Sequence, residues 1–485
     1  SLSEPRCKWV NRKYRARQRR WNPYAQAHAY ARDYIQSVLG DKPNLDAIYR
    51  GCSFTGGASL GIHGNATNPA RKVLALDWTC TPTALFHAVR ALWASPAYRH
   101  CILPGAMKCY DPQEFGDIVR DRVQIVDHNK ISFVPKTAKT HRSIAVEPLL
   151  NGFVQKGTDL EMRRLLRKVG IDLSDQSHNQ RLAKRGSEGG FNPYCTIDLS
   201  AASDSLSYEV VKSFLPAEWF EYLCDIRAPR FLLAGADHTE RYEKFCSMGN
   251  GFCFPLQTLL FASMCYAVAR VSGLKKSEAY DFSVYGDDII IRQDGALLLI
   301  EILRDLGFRT NVDKTFVTGP FRESCGAGWY EGQEVRPVMC DKPLASVQQV
   351  VSLHNSFLRS RVTELASGDV RDVLISAVHN ALLRPGREPG DGAFSVPLDV
   401  AMNCPHVRWD RNQQTWRWRE MLYSPVSDRW WKAQDGHADV LMMAALSGAS
   451  SKDPFTLRYQ TRPRLRQVCR PYWAAFHGGV DPGLG

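Results

Sequence analysis

The feature that most constrains this chain is a pair of adjacent aspartates between two apolar runs. Residues 282–292, FSVYGDDIIIR, are typical of a strand, a tight turn and a second strand, with Gly286 in the turn before Asp287 and Asp288. Two neighbouring carboxylates between buried strands repel each other and lose hydration, so at least one pKa should rise unless a cation compensates. A hard divalent cation such as Mg²⁺ prefers carboxylate oxygens. An ordinary Asp-rich turn is the alternative interpretation.

A second acidic motif upstream favours a catalytic interpretation. In residues 195–207, CTIDLSAASDSLS, Asp198 ends a short apolar strand and Asp204 follows after small residues. Asp198 can supply the third carboxylate, beside Asp287 and Asp288, of a site for two metal ions. Such sites hold the attacking and the leaving oxygen during an in-line phosphoryl transfer.

A glycine-containing turn lies between the two acidic motifs. Residues 246–263 place Ser247, Gly249 and Asn250 in a Ser-Met-Gly-Asn-Gly turn before a long apolar helix. The glycines let the backbone approach a nucleic-acid strand closely, and an asparagine can hydrogen-bond a sugar hydroxyl. Such a turn alone is weak evidence for a functional site. Its position between the two acidic motifs strengthens that interpretation.

A basic segment precedes all of these motifs. Residues 133–148, FVPKTAKTHRSIAVEP, carry Lys136, Lys139 and Arg142 at three-residue spacing beside a strand. This arrangement suits the binding of a triphosphate. The alternative is an edge strand whose charges prevent aggregation.

Positive charge is also concentrated at the start of the chain. Eight Lys or Arg residues lie between Arg6 and Arg20, and the formal net charge of the chain is +12. This balance favours a polyanionic partner, nucleic acid before an anionic membrane. We interpret the N-terminal segment as a basic arm for a phosphate backbone, with a solvated helix or tail as the alternative.

The apolar pattern predicts a mixture of helices and strands without a linker or a repeat. The predicted helices cover residues 25–39, 82–94, 159–169, 207–224, 254–271 and 296–306. The predicted strands cover residues 131–134, 194–199, 282–285 and 289–291. This order indicates an α+β sheet with helices packed on one face, and the chain after residue 340 is expected to be mostly helical.

Two observations bear on the cellular setting. The apolar run 255–273 contains Gln257 and Arg270, so we expect a buried core helix there and no membrane partner. The 14 cysteines are scattered, without a CxxC pair or a zinc-ligand spacing. They are predicted to be reduced thiols, which indicates a cytosolic protein.

Together these motifs resemble those of viral RNA-directed RNA polymerases, and most closely those of the catalytic subunit of RNA-bacteriophage replicases of the Qβ type. The resemblance covers roughly residues 131–330 and includes VPKTAKTHRSIAVEP, NQRLAKRGS, TIDLSAASDS, SMGNG, VYGDD and GPFRESCG. It implies a right-hand fold with fingers, a palm of antiparallel sheet with packed helices, and a mostly helical thumb. We expect the N-terminal region and fingers in residues 1–183, the palm in 184–320, and the thumb and C-terminal region in 321–485.

The resemblance also implies roles for individual residues. The metal ligands would be Asp198, Asp287 and Asp288, on two Mg²⁺ ions for which Mn²⁺ can substitute. Asp204 and Asn250 resemble the ribose-recognition pair, with Asp204 holding Asn250 in place.

The triphosphate would be bound by Lys136, Lys139 and Arg142. Lys314 resembles the lysine that protonates departing pyrophosphate, although a plain surface lysine is nearly as good an interpretation. Residues 321–326 resemble the turn that supports the primer end, or serve only in packing.

The partners implied are RNA template and product, ribonucleoside triphosphates, and the host elongation factors Tu and Ts with a ribosomal protein, in the cytoplasm of an infected bacterium. Family members carry more chain upstream of the triphosphate segment, and this sequence begins without Met. We therefore expect the N-terminal part of the fingers to be short or incomplete.

Two rival functions remain open. A reverse transcriptase also uses a Tyr-x-Asp-Asp turn, but it needs a bulky residue shortly after the first aspartate to exclude a 2′ hydroxyl. Residues 199–203, LSAAS, contain no aromatic ring, which favours RNA synthesis. A non-catalytic RNA-binding protein on a polymerase scaffold is the second rival, and the intact carboxylates speak against it.

Tryptophan and arginine alternate near the C-terminus, in residues 407–432. The aromatic rings could stack on single-stranded RNA while the arginines contact phosphates. The alternative, slightly favoured here, is a thumb core with arginines whose charged ends reach the solvent.

Overall fold

A computed structural model of the chain describes residues 3–17, 22–62, 72–73, 75, 77–103, 111–135, 141–275, 280–336, 338–340, 344–359, 364–385, 392–425 and 461–471. Two compact units divide these residues. The first contains the described residues up to 325, and the second contains the described residues from 326 onward.

The helices are α1 Ser3–Arg17, α2 Ala25–Leu39, α3 Leu45–Gly51, α4 Pro82–Ala94, α5 Pro96–Ile102, α6 Pro112–Arg120, α7 Leu149–Lys168, α8 Ser177–Ser187, α9 Tyr208–Phe214, α10 Ala217–Ile226, α11 Cys253–Val271, α12 Gln293–Asp305, α13 Val347–Arg359, α14 Glu364–Ser376 and α15 Leu398–Met402. Two short 3₁₀ turns cover Ser203–Ser205 and Val312–Lys314.

The strands are β1 Trp78–Cys80, β2 Val123–Ile125, β3 His128–Pro135, β4 His141–Val146, β5 Tyr194–Ile197, β6 Arg230–Leu233, β7 Thr239–Arg241, β8 Phe282–Tyr285, β9 Asp288–Arg292, β10 Phe321–Ser324, β11 Ala327–Tyr330, β12 Gln333–Glu334, β13 Leu383–Pro385, β14 Phe394–Val396, β15 Arg408–Asp410, β16 Thr415–Pro425 and β17 Thr461–Pro471.

The functional motifs lie around an antiparallel sheet with strand order β5–β9–β8 in the first unit. Helix α11 packs against β8 and is buried along most of its length. This helix is long and apolar enough to span a membrane, yet 78% of its most apolar window is buried within the protein. The predictions of an α+β fold, an antiparallel central sheet and a buried helix at 255–273 are confirmed.

A second sheet, with strand order β4–β3–β6–β7, carries the basic segment. Strand β3 runs antiparallel to β4 and parallel to β6. The side chains of Ile131, Ala145, Phe231 and Tyr242 form a small separate core beside this sheet. Arg142 lies on β4 of this sheet, and its side chain is exposed.

The helix predicted over residues 207–224 is wrong in one respect, because two helices, α9 and α10, occupy this region. Pro216 separates them. Leu215 is extended, with φ −79° and ψ 149°, as expected of a residue that precedes proline. Proline also lacks the backbone N–H that a continuous helix would require.

The basic N-terminal segment forms helix α1, which docks one face onto the first unit. The buried side chains of that face are Cys7, Val10, Asn11 and Tyr14. On the flank, Lys13 pairs with Asp305, with 2.7 Å between Nζ and Oδ1. The segment is therefore neither a free arm nor a helix solvated on all sides. Lys8 and Arg12 stay exposed, so contact with RNA remains a prediction.

The second unit contains more strand than the mostly helical thumb that we expected. The Trp- and Arg-rich run lies on β15 and β16, and β16 pairs with β17 along 11 residues. Trp416 and Trp418 are 8% and 2% exposed, because alternate residues of a strand point to the same face. This burial supports the core interpretation for these two rings, whereas Trp430 and Trp431 lie outside the described residues.

Candidate active site

The central sheet brings the three predicted aspartates to one end. Ile197, the last residue of β5, pairs with Ile289 of β9, and Asp198 follows it directly. Asp287 and Asp288 lie at the tip of the β8–β9 hairpin, where Tyr285 pairs with Asp288. Since β5 and β9 are antiparallel, the backbone of Asp198 leaves the sheet beside the hairpin tip.

Gly286 makes the hairpin tip possible. Its φ is +66°, a left-handed conformation that side chains disfavour. A Cβ atom at this position would lie 2.3 Å from Cε2 of Phe254. The Gly286 N–H donates to Oγ1 of Thr258 at 3.0 Å, which attaches the tip to helix α11. The turn therefore requires glycine for both its conformation and its packing.

Asp198 is held by the segment that follows helix α12. Its Oδ2 accepts a hydrogen bond from Nδ2 of Asn311 at 2.7 Å, and its carbonyl accepts from the Asn311 N–H at 2.9 Å. Its own N–H donates to Oγ1 of Thr315 at 3.2 Å. Burial raises the pKa of the Asp198 carboxyl, the Asn311 hydrogen bond opposes this effect, and the charge of Asp287 adds to it.

Asp288 is supported by the end of β10. Its Oδ1 accepts hydrogen bonds from Oγ of Ser324 at 3.3 Å and from the Cys325 N–H at 3.2 Å. Burial raises the pKa of Asp288 to about 6, the Cys325 hydrogen bond lowers it, and the charges of Asp287 and Asp198 raise it further. In this structure, residues 321–326 thus contact a candidate metal ligand directly.

The charge of Asp287 disfavours the ionised forms of Asp198 and Asp288. The carboxylate oxygens at this sheet end are a donor set that suits a divalent cation. Within the described part of the chain, no group of three or more His, Cys, Asp or Glu side chains is gathered closely enough to hold a metal ion. The backbone therefore brings the aspartates together, and their side chains would have to turn toward a shared ion. The carboxylate oxygens of the three aspartates are the kind of ligand that Mg²⁺ prefers, so these residues fit that ion.

Lys314 lies near these carboxylates in the second 3₁₀ turn. Its Nζ is 3.2 Å from Oε1 of Glu323, and its side chain is 53% exposed. Partial burial lowers the pKa of Lys314, but the hydrogen bond and charge of Glu323, with the charges of Asp198 and Asp288, raise it on balance. Lys314 therefore stays protonated at neutral pH, next to the aspartates.

Asp204 has different partners from those that we expected. Its carboxylate accepts from Nζ of Lys244 at 2.6 Å and from Oγ of Ser143 at 3.3 Å. No hydrogen bond from Asn250 to Asp204 is formed among the described residues. The ion pair is well shielded, because the Lys244 and Asp204 side chains are 7% and 16% exposed. Asp204 therefore links the turn before α9 to β4.

The Ser-Met-Gly-Asn-Gly turn lies against β4. The Ala145 N–H donates to the Met248 carbonyl at 2.7 Å. Gly249 has a φ of +108°, and a Cβ atom there would lie 2.1 Å from the Ala145 carbonyl oxygen. Only glycine allows this approach. Ser247 beside it is buried.

Asn250 in this turn is 7% exposed, and its Oδ1 is buried without a hydrogen-bond partner among the described residues. A buried amide oxygen without a partner is costly, by about 1–3 kcal/mol. A hydroxyl group of a ligand that reached this atom would supply the missing hydrogen bond.

Of the three predicted triphosphate residues, only Arg142 can be located. It lies on β4 opposite Val134 and is exposed. Lys136 and Lys139 lie outside the described residues. The structure therefore does not test whether the three side chains converge.

Several supporting residues were missed by the sequence analysis. Asn311 is 113 positions from Asp198, and nothing in its spacing shows that the two side chains meet. Lys244, which holds Asp204, follows a segment without a motif of its own. Asn179 of α8 accepts from Oγ of Ser283 at 2.6 Å and so ties α8 to β8. The motif NQRLAKRGS, which contains Asn179, was a usable signal for this contact.

A buried hydrogen-bond network holds the turn from its other side. Oε1 of Gln155 accepts from the Gly251 N–H at 3.0 Å, and Nε2 of Gln155 donates to Oε2 of Glu147 at 2.9 Å. Nδ2 of Asn129 donates to the other Glu147 oxygen at 2.6 Å. Burial raises the pKa of Glu147, whereas the Gln155 and Asn129 hydrogen bonds and the charge of Arg227 lower it. The carboxyl of Glu147 thus connects β3 and α7 with the turn.

Comparisons with known proteins identify the family of the chain. Residues 2–375 match the family model of the RNA replicase beta-chain. The RNA-directed RNA polymerase subunit beta of Escherichia virus Qbeta is 39% identical over 329 residues, which are 68% of this chain and 51% of that protein. The RNA-directed RNA polymerase beta chain of Escherichia phage MS2 is 38% identical over 327 residues, 66% of this chain and 55% of that protein.

Among solved structures, BmCPV RNA-dependent RNA polymerase at elongation state gives a TM-score of 0.42 at 11% identity, over 74% of this chain and 34% of that chain. The RNA-dependent RNA polymerase of a human picobirnavirus gives 0.38 at 12% identity, over 52% of this chain and 56% of that chain. This chain spans about half the length of the curated phage relatives that it matches. Because the family model matches most of its length, the chain belongs to the RNA replicase beta-chain family.

Proposed function

We propose that this protein is an RNA-directed RNA polymerase that copies single-stranded RNA and releases pyrophosphate. The observation that carries the proposal is the position of Asp198, Asp287 and Asp288 at one end of the β5–β9–β8 sheet, in a chain that belongs to a replicase family. Relatives in this family are named RNA-directed RNA polymerases.

The three aspartates would hold two Mg²⁺ ions, with Mn²⁺ as a substitute. Bound there, divalent ions would neutralise charge on the attacking and the leaving oxygen of an in-line transfer. The chain's contribution is to position the carboxylates. Asn311 binds one carboxylate oxygen of Asp198, and the Cys325 N–H binds one carboxylate oxygen of Asp288. Two carboxylates with raised pKa values ionise more readily when a cation is present.

The nucleotide would be bound by three groups of side chains. Arg142, with Lys136 and Lys139, would contact the triphosphate. Oδ1 of Asn250 would accept a hydrogen bond from the 2′ hydroxyl, because this buried atom has no partner among the described residues. Asp204 would be the other member of the ribose-recognition pair, with its carboxylate held by Lys244 and Ser143.

Lys314 would donate the proton that the departing pyrophosphate needs. Its ammonium group is protonated at neutral pH and lies close enough to Asp198 and Asp288 to be influenced by their charges. Its exposure lets it exchange protons with water between reaction cycles.

The wider assignments belong to the same proposal. Residues 1–183 would form the N-terminal region and fingers, 184–320 the palm, and 321–485 the thumb and C-terminal region. The relatives are called a beta subunit or beta chain. These names support the existence of further subunits in the complex. We propose host elongation factors Tu and Ts and a ribosomal protein as those partners, in the cytoplasm of the bacterial host.

The proposal is tested by extension of a labelled RNA primer with Mg²⁺, on matched RNA and DNA templates, with ribo- or deoxyribonucleotides. The assay is run with and without added elongation factors Tu and Ts. We expect ribonucleotides to be added on the RNA template. Addition of deoxynucleotides instead would favour the reverse-transcriptase alternative, and RNA binding without any extension would favour the non-catalytic one.

A further inference from the structure

A polar cavity of about 570 Å³ lies in the first unit, between helix α1, the start of α9 and the end of β7. Its volume is within the range of small-molecule sites. The charged side chains that line it are Arg15, Glu209, Arg227, Arg241 and Glu243. Neither the candidate metal ligands nor the Ser-Met-Gly-Asn-Gly turn lines it.

Arg227 is the unusual member of this lining. Its side chain is 5% exposed, and its Nε is buried without a hydrogen-bond partner among the described residues. Of its five N–H donors, the one bond formed there runs from Nη2 to the Lys244 carbonyl at 3.2 Å. A buried guanidinium without a carboxylate in contact is costly, so a second acceptor would stabilise it.

Aromatic rings hold the guanidinium of Arg227 in place. Its Cζ lies 5.1 Å from the ring centroid of Phe245 and 5.6 Å from that of Tyr208. Such contacts fix the plane of the side chain and leave its donors free. Tyr208 itself lines the cavity.

The two glutamates of the cavity already have partners. Oε1 of Glu209 accepts from Nε of Arg15 at 2.9 Å, and Oε2 of Glu243 accepts from Nδ2 of Asn11 at 2.8 Å. Arg241, by contrast, is exposed and has no ion-pair partner in the described part of the chain. The cavity therefore presents two arginines that form no ion pair in the described part of the chain, and the buried carboxyl of Glu147 interacts with the charge of Arg227 from outside the cavity.

We propose that this cavity binds a phosphate group through Arg227 and Arg241. Arginine offers paired N–H donors that match the oxygens of phosphate. The arginines of the cavity wall, Arg15, Arg227 and Arg241, outnumber its carboxylates, Glu209 and Glu243. The phosphate can belong to inorganic phosphate or to a nucleoside monophosphate. This inference does not depend on the proposed function, because it involves none of the residues assigned there to catalysis or nucleotide binding.

The test is a titration of the full chain in chelator, with inorganic phosphate or AMP against chloride at constant ionic strength, followed by calorimetry and by the melting temperature. We expect both ligands to bind the wild type. Binding should also raise its melting temperature, because a ligand of the native state stabilises that state. Arg241→Gln should weaken binding by about 10-fold, since one charged hydrogen-bonding partner is lost. Arg227→Gln should abolish it.

Two control variants separate this cavity from other arginines. Arg230→Gln removes the same charge directly opposite Arg241 in the β6–β7 register, outside the cavity. Arg142→Gln removes a charge from the proposed triphosphate site. Arg230→Gln should bind phosphate as the wild type does, and Arg142→Gln should keep the share of binding that Arg241→Gln loses. Tighter binding of AMP than of phosphate identifies a nucleotide as the ligand, and equal binding identifies the phosphate group alone.

Three results would overturn the proposal. The first is the absence of binding by the wild type, which would indicate a cavity filled only by water. The second is unchanged binding by the folded Arg241→Gln variant. The third is loss of binding in Arg142→Gln alone, which would assign the phosphate to the triphosphate segment and leave the proposed function standing.

Discussion

Asp288 links the chemistry of the site to the stability of the fold. Because the pKa of Asp288 is raised from 3.8 to about 6, its protonated form is favoured by folding. The stabilisation that the protonated Asp288 carboxyl gives the folded state is fully present below pH 3.8, and it is lost as the pH rises through about 6. Asp288→Asn keeps an oxygen for Ser324 and Cys325 but removes the charge. In chelator at pH 8, we expect this variant to be more stable than the wild type by about 1–3 kcal/mol.

The measurement is urea unfolding of both proteins between pH 4 and pH 8. The stability difference should shrink as the pH falls below 6. Mg²⁺ should then stabilise the wild type more than the variant at pH 8, since only the wild type offers the full carboxylate set. A difference that does not vary with pH would contradict the assigned shift.

Asn250 is predicted to read the sugar. A site built to pair a substrate hydroxyl penalises a substrate that lacks it. With Oδ1 of Asn250 as the acceptor, a deoxynucleotide should lose about 2–4 kcal/mol, or roughly 30- to 1000-fold in rate. Asn250→Ala should remove most of this preference by reducing ribonucleotide use. The check is kcat/KM for a ribonucleotide and its deoxy analogue, and an unchanged ratio would withdraw the assignment.

Helix α1 is predicted to be a structural element of the first unit. Nδ2 of Asn11, a fully buried residue, donates to the Glu243 carbonyl and to its Oε2, both at 2.8 Å, and its Oδ1 accepts from the Glu209 N–H at 2.9 Å. Asn11→Ala leaves these groups without partners and should cost about 2–4 kcal/mol in unfolding free energy. The neighbouring Arg12→Ala, at an exposed position, should change it by less than about 0.5 kcal/mol.

Urea unfolding of the two variants provides this comparison, with unchanged m values as the check on two-state behaviour. Equal stabilities would mean that α1 does not support the fold. Arg12→Ala also tests the interpretation of the N-terminal segment as a basic arm for a phosphate backbone. A loss of RNA affinity in this variant would support that interpretation.

The elements that local pattern controls were predictable. Helices at 25–39 and 82–94 match the structure at both ends, because their apolar spacing and flanking residues agree. The helix over 207–224 was predicted too long because its apolar period continues across Pro216. Residues 415–425 were expected to be helical, but their alternation of buried Trp416 and Trp418 has the period of a strand. The alternation of tryptophan and arginine over residues 416–419 was a usable signal for that period.

At the scale of the whole molecule, two motifs separated by 89 residues predicted the central sheet and three aspartates at one end of it. Asp198 follows the last residue of β5, beside the hairpin tip that carries Asp287 and Asp288. The side chains that position the aspartates were not predicted. Asn311 and Ser324 act through contacts between distant segments, and such contacts leave no periodic signal in one sequence. The Lys244 partner of Asp204 was missed for the same reason.

The central claim is that the aspartates at the sheet end carry out nucleotidyl transfer rather than RNA binding. The most direct measurement compares wild type with Asp287→Asn in primer extension with Mg²⁺ and in RNA-binding affinity, using the same RNA. We predict that the variant, with an unchanged melting profile, loses extension by about 1000-fold or more while its RNA affinity stays within about 2-fold. Retained extension, or a parallel loss of extension and binding in the folded variant, would contradict the claim.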